Sequence, residues 1–195
     1  MRKIVLLVVV VGLVMGATPS AVADAHYMRG TLEGPTVGFN PDPTAVAERC
    51  PEGFGWIINS AGGVELPGFG LVPGGGFLES LEYAGPFGFV MEHCSRWVTN
   101  PETSERTNGR FVGDIAGGVM TLVTPEGDEL YVSYEGSFRF KGDLAVGEWT
   151  SVAVLQYRIL GGTGVFDGAA GSGHIGVTDS SGYGAGDFEG SLVYR

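Results

Sequence analysis

The sequence predicts an all-β protein: a single antiparallel barrel of eight or nine strands, with a short helix at most near 43–49. Three observations predict it. Glycine numbers 35 and proline 10 in 195 residues, and no long stretch shows helical periodicity. The second half of the chain alternates apolar and polar residues with period two, segment after segment. So large a sheet with so little helix to cover it must fold over or close, and closing removes its edges. Strands that follow one another through short turns favour a barrel over a sandwich.

At the start, Arg2 and Lys3 precede an apolar run from Ile4 to Met15, and small residues follow. That run falls short of the about twenty residues a spanning helix needs, so 1–23 reads as a secretory signal peptide. Cleavage is expected near Ala23 or Ala25, giving a secreted chain with no membrane insertion. Without Arg2 and Lys3, 9 basic residues face 22 acidic ones, a net charge of −13. Such a chain repels phosphate backbones, so no nucleic-acid partner is expected. The length suits one domain: an N-terminal segment, 24–50, with the first strand and the short helix, then a barrel domain, 51–195.

In "DPTAVAER", Asp42 is placed to cap a helix, Pro43 to enter its first turn and Arg49 to face its carboxyl end. Cys50 and Cys94, an even count in an exported chain, predict a disulfide. The rival, a metal pair with His93, needs more ligands than the scattered His26, His93 and His174 supply, so no metal is expected. "YMRGTLEG", "GFGWIINS", "GGFLESLEYAG" and "FGFVMEHCSRWV" read as strands, and 65–76 and 100–109 as loops.

Residues 117–140 read as a hairpin: "GGVMTLV", the turn "TPEGDE", then "ELYVSYEGSFRF". Its second strand puts Leu130, Val132, Tyr134, Phe138 and Phe140 on one face. From Glu148 to Leu160 the inner set is Trp149, Ala153, Leu155, Tyr157 and Ile159; in "DFEGSLVYR" it is Phe188, Leu192 and Tyr194. The inward aromatics Tyr134, Phe138, Trp149, Tyr157, Phe188 and Tyr194 are the candidate ligand lining; the alternative is that they simply fill a small barrel.

The stretch "ILGGTGVFDGAAGSGHIGV" (159–177) contains a literal G-x-G-x-x-G at 171–176. A dinucleotide fingerprint must leave a strand and open a helix, but "VTDSSGYGAGD" follows, so no nucleotide cofactor is expected. The glycines instead shape backbone. Gly161, Gly162 and Gly164 reverse the strand through positive φ. "VFDGAA", with Gly168, turns compactly and buries Phe166 as a cap on one end of the core; Gly171 and Gly173 let the next strand bend.

"YRILGGTGVFDGAAGSGHIGV" resembles the y-x-I-x-G-G-T-G-r-F-x-G-A-x-G-s-G signature of the allene oxide cyclase-like and dirigent-like barrels, above all their exported bacterial members. "TPEGDELYVSYEG", "MEHC" and "GDFEGSLVY" resemble the same group, over roughly 75–195. The resemblance implies an eight-stranded antiparallel barrel with an apolar mouth, acting mainly as a mould, and outer faces through which such barrels form homo-oligomers. Plant members cyclise an unsaturated epoxide or steer phenoxy-radical coupling. Neither the cyclases' glutamate nor the dirigent acid and arginine has a matching position here, and Val165 replaces the usual basic residue.

No catalytic residue can therefore be assigned. Glu92 and His93, adjacent on a strand, face opposite sides, so His93 reads as a polar residue beside the disulfide. His174 is expected to be exposed, and Ser95 and Ser172 lack a G-x-S-x-G setting. Asp114, Asp128, Glu129, Asp167, Asp179 and Asp187 lack calcium-loop spacing. The expected function is a non-catalytic binding module for a small apolar molecule. The first alternative is a filled barrel acting through its loops, and the second a cofactor-free cyclase or isomerase.

Overall fold

The computed structural model describes residues 24–98, 110–143 and 147–194; the expected signal peptide, the expected loop 100–109 and Arg195 lie outside the described residues. The elements are β1 (His26–Asn40), α1 (Pro43–Arg49), β2 (Trp56–Gly62), β3 (Glu65–Leu66), β4 (Gly70–Leu71), β5 (Gly75–Glu79), β6 (Ala84–Trp97), β7 (Arg110–Val123), β8 (Glu129–Asp143), β9 (Glu148–Gly162), a 3-10 turn (Gly164–Phe166), β10 (Ala169–Ser180) and β11 (Tyr183–Tyr194). The protein is all-β with one short helix among the described residues.

From β6 to β11 each strand pairs antiparallel with the next, and β11 pairs back onto β1 from His26↔Leu192 to Pro35↔Tyr183. This closes a ring of eight strands. The slot between β1 and β6 is filled twice. β2 occupies one end, against Thr36–Asn40 and Phe89–Ser95; β5 occupies the other, against Arg29–Glu33 and Ala84–Phe87. Between them the chain leaves the wall as the small β3–β4 hairpin, so the segment expected to be a loop at 65–76 already contains two short strands and the start of β5. Glycine permits that exit: Gly74 has φ of 103°, and a Cβ there would collide with the Glu33 carbonyl.

The ring strands are longer than the sequence predicts, 14 or 15 residues for β1 and β6–β9. Glycines that read as breaks lie inside them. Several face inward beneath an aromatic ring of the paired strand: Gly30 beneath Phe188, Gly113 beneath Phe138, Gly118 beneath Tyr134, Gly76 beneath Phe87. A side chain at any of these would displace the ring, so glycine is what admits large aromatics to a narrow interior.

The inner face is the one periodicity predicts. Leu130, Val132, Tyr134, Phe138, Phe140, Ala153, Leu155, Tyr157 and Ile159 are buried, while Val152 and Val154 are exposed. Helix α1 forms where its cap predicts: Asp42 Oδ1 accepts from the Thr44 amide at 2.9 Å, and Arg49 lies in the last turn. It covers the outer wall, burying Val46 against Ile57 and Cys94, and the Cys50–Cys94 disulfide ties it down. In the glycine-rich reversal, Gly161, Gly164 and Gly168 have positive φ. Gly162 does not; glycine is needed there because a Cβ would press on the Phe166 side chain and the Glu129 carbonyl. Phe166 is fully buried.

Candidate functional site

The two ends of the ring differ. At the end closed by the glycine-rich reversal, Phe166, Leu78, Leu130 and Leu192 have no exposure, and Tyr83 packs edge-on to Phe166 at 5.6 Å. This half is solid. The opposite end, where α1 enters β2 and β10 turns into β11, holds a cavity of about 430 Å³.

Aromatic rings wall this cavity. Phe39 of β1 meets Trp56 of β2 at 6.3 Å, and Trp56 meets Trp97 of β6 at 5.3 Å. Trp97 contacts Phe111, Phe138 and Phe140 at 5.2–5.6 Å, and Phe140 stacks on Trp149 of β9 at 5.3 Å. The collar thus spans neighbouring strands from β1 round to β9, and Phe89, Met91, Ile115 and Leu155 lie deeper.

Polar groups on the lining are few: Thr36, Ser60, His93, Ser95, Ser151 and Asp179, with no lysine or arginine among the described lining residues. Asp179 sits at the rim, where the tight turn through Ser181 and Gly182, both at positive φ, joins β10 to β11. Its Oδ1 accepts from the Gly182 amide at 3.0 Å, and burial pushes its carboxyl above the ordinary range despite that bond.

Deeper, β6 projects alternate residues inward, so His93 and Ser95 share the cavity face while Glu92 and Cys94 point outward to Arg49 and Cys50. His93 Nδ1 lies 2.9 Å from the Tyr134 hydroxyl, which is also 3.3 Å from the Glu92 carbonyl. This fixes the ring and leaves Nε2 without a protein partner among the described residues. Burial pushes the imidazole down to about 4, so it is neutral at ordinary pH. Ser95, 1% exposed, has an Oγ with no hydrogen-bond partner in the described structure.

No family model, curated protein or solved structure matches the chain.

Of the six aromatics the sequence singles out, Phe138 and Trp149 line the cavity. Tyr134, Tyr157, Phe188 and Tyr194 are absent from its lining. Tyr134 is buried over Gly118 behind His93, Phe188 lies over Gly30, Tyr157 reaches across Gly173 and Gly190, and Tyr194 packs on the solid half. Alternation predicts which face a side chain takes but not its depth along the axis. Sequence reasoning passes over Phe39, Trp56 and Trp97, places Phe140 on the inner face without assigning it to the lining, and weighs Ser95 only as a nucleophile; all five are in the lining. The signal for Ser95 and Trp97 lay in β6, whose odd positions from Phe87 to Trp97 all face inward. His174 is exposed on the outer wall, away from the cavity.

Proposed function

We propose that the protein is an exported β-barrel that holds a small apolar molecule in its hollow end. The observation behind this reading is the 430 Å³ cavity with its aromatic collar. It falls within the about 300–1,000 Å³ typical of small-molecule sites, and its composition, an apolar wall with few polar groups, is theirs as well. Export explains the acidic surplus as a solubility device. It also agrees with the Cys50–Cys94 disulfide. The glycine signature that resembles the allene oxide cyclase-like and dirigent-like barrels fits a barrel whose interior is a mould.

Binding is favoured over catalysis because Tyr134 engages His93, the one histidine on the described lining, and among the described residues no carboxylate hydrogen-bonds to it. A filled barrel acting through its loops matches only the solid half. The test is to express the chain with its leader, purify the exported form and record its mass under non-denaturing conditions. The expected spectrum shows a bound species of a few hundred daltons that organic solvent extracts. A ligand-free mass, together with no uptake of added apolar compounds, would overturn the reading.

A further inference from the structure

The cavity's polar groups lie on five strands, but two of them, His93 and Ser95, share one face of β6, and that pair narrows what the cavity takes. Resting on the binding reading above, the geometry points to a ligand that is neutral and mostly apolar with one oxygen function, a hydroxyl or a ketone, lodged against Ser95 Oγ and His93 Nε2.

Ser95 supplies the main observation. Its hydroxyl is buried at the cavity wall with no partner in the described structure. A buried hydroxyl without a partner is costly, and folded proteins rarely keep one without a reason. His93 supplies the second. It stands two residues away on the same face of β6, about 7 Å along the strand. Its Nδ1 is occupied by Tyr134, so Nε2 is the nitrogen available to the cavity. The two groups bracket one short strip of β6, while Thr36, Ser60, Ser151 and Asp179 stand on other strands. An oxygen at that strip faces the His93 side directly and meets Ser95 Oγ once the buried serine side chain turns to it, while the rest of the molecule lies among Trp56, Trp97 and Phe138.

Charge decides against ionic ligands. A carboxylate or phosphate would be desolvated among aromatic rings with no lysine or arginine on the described lining. Its neighbours would be a neutral imidazole and the rim carboxylate of Asp179. A cation would find the rings and Asp179, but that carboxylate already accepts the Gly182 amide and lies at the rim, away from the strip on β6. A serine hydroxyl donates to a ketone or accepts from a hydroxyl, so either oxygen type satisfies it. At about 30 Å³ per non-hydrogen atom, the liquid-water figure, the volume holds about fourteen such atoms.

The test uses naphthalenes that share one body and differ in one substituent: 2-methylnaphthalene, 2-naphthol, 2-acetylnaphthalene, 2-naphthoate and (2-naphthyl)trimethylammonium. Each is offered to the purified exported chain by equilibrium dialysis. The naphthol and the ketone are expected to bind about tenfold tighter than the methyl compound, and the two ions more weakly than either. Ser95→Ala should erase most of that preference, read as the ratio of the naphthol's and the ketone's affinity to the methyl compound's. His93→Phe should lower the same ratio for the naphthol. Equal binding of all the neutral bodies would overturn the oxygen subsite and leave apolar binding standing. Tightest binding of the ammonium compound would overturn it in favour of Asp179, and no binding of any would overturn both readings.

Discussion

Ser95 and His93 lie two residues apart on one strand, yet they should behave oppositely when altered. Without ligand, the Ser95 hydroxyl is buried with no partner in the described structure, so Ser95→Ala removes a polar atom and leaves the packing nearly unchanged. We expect the ligand-free variant to be more stable by about 1 kcal/mol, read as a higher denaturant midpoint at constant slope. A site residue whose loss stabilises the fold is one the fold keeps for another purpose. His93 should impose a pH dependence. Its folded value lies at about 4, below the unfolded 6.5, so the unfolded chain takes the proton first. The stability is therefore fully present above about pH 6.5 and falls as pH drops towards about 4, by about 3 kcal/mol in all. Urea midpoints at pH 7 and pH 4 check this, and His93→Gln should flatten the difference. That Glu92 and His93 take opposite faces was readable from the sequence; that His93 is the inward one was not, because it depends on helix α1 and the disulfide lying on the outer wall. The pairing with Tyr134 was not, since it depends on which residues of β6 and β8 sit at one level, and the intervening β7 shifts register between Ile115 and Gly118.

Among elements, β10 shows what the glycine-rich stretch is for. The literal G-x-G-x-x-G at 171–176 lies on a strand throughout and opens no helix. Its glycines are not equivalent. A Cβ at Gly173 would strike the Glu189 carbonyl and the Tyr157 hydroxyl, whereas one at Gly176 meets nothing within 4 Å. Gly173→Ala is therefore expected to cost about 2 kcal/mol or more, and Gly176→Ala to change stability by less than about 0.5 kcal/mol, both by chemical denaturation. A nucleotide site would predict that both matter for binding and neither much for folding. Helix α1 was readable in advance because its cap, proline and terminal arginine are local signals. The first-half strands were read less well. β1 and β6 contain glycines that look like punctuation, yet they are packing positions or close approaches between strands, a role visible only once the partner strand is known.

For the molecule as a whole, closure was foreseeable because an open sheet of this size would leave edges and an apolar face uncovered. The cavity was not, because whether a ring is solid or hollow depends on how deep each inward side chain sits. Phe87, Phe166, Phe188 and Tyr194 help fill the rest of the ring, whereas Phe39, Trp56, Trp97, Phe138, Phe140 and Trp149 wall the cavity. One feature of that wall has a mechanical meaning. With β2 and β5 sharing a single slot, the cavity half of the ring contains a separate panel, seven residues of β2, held to β1 by a short pairing that shifts register between Thr36 and Gly38. The Cys50–Cys94 bond anchors the segment leading into that panel to β6. Replacing Cys50 with serine should therefore hasten deuterium uptake at the amides of Trp56–Gly62 while those of β10 keep their protection, as mass spectrometry of exchanged peptides would read. The covalent link would then act as a latch on the entrance, and an oxidising milieu would keep that entrance in shape.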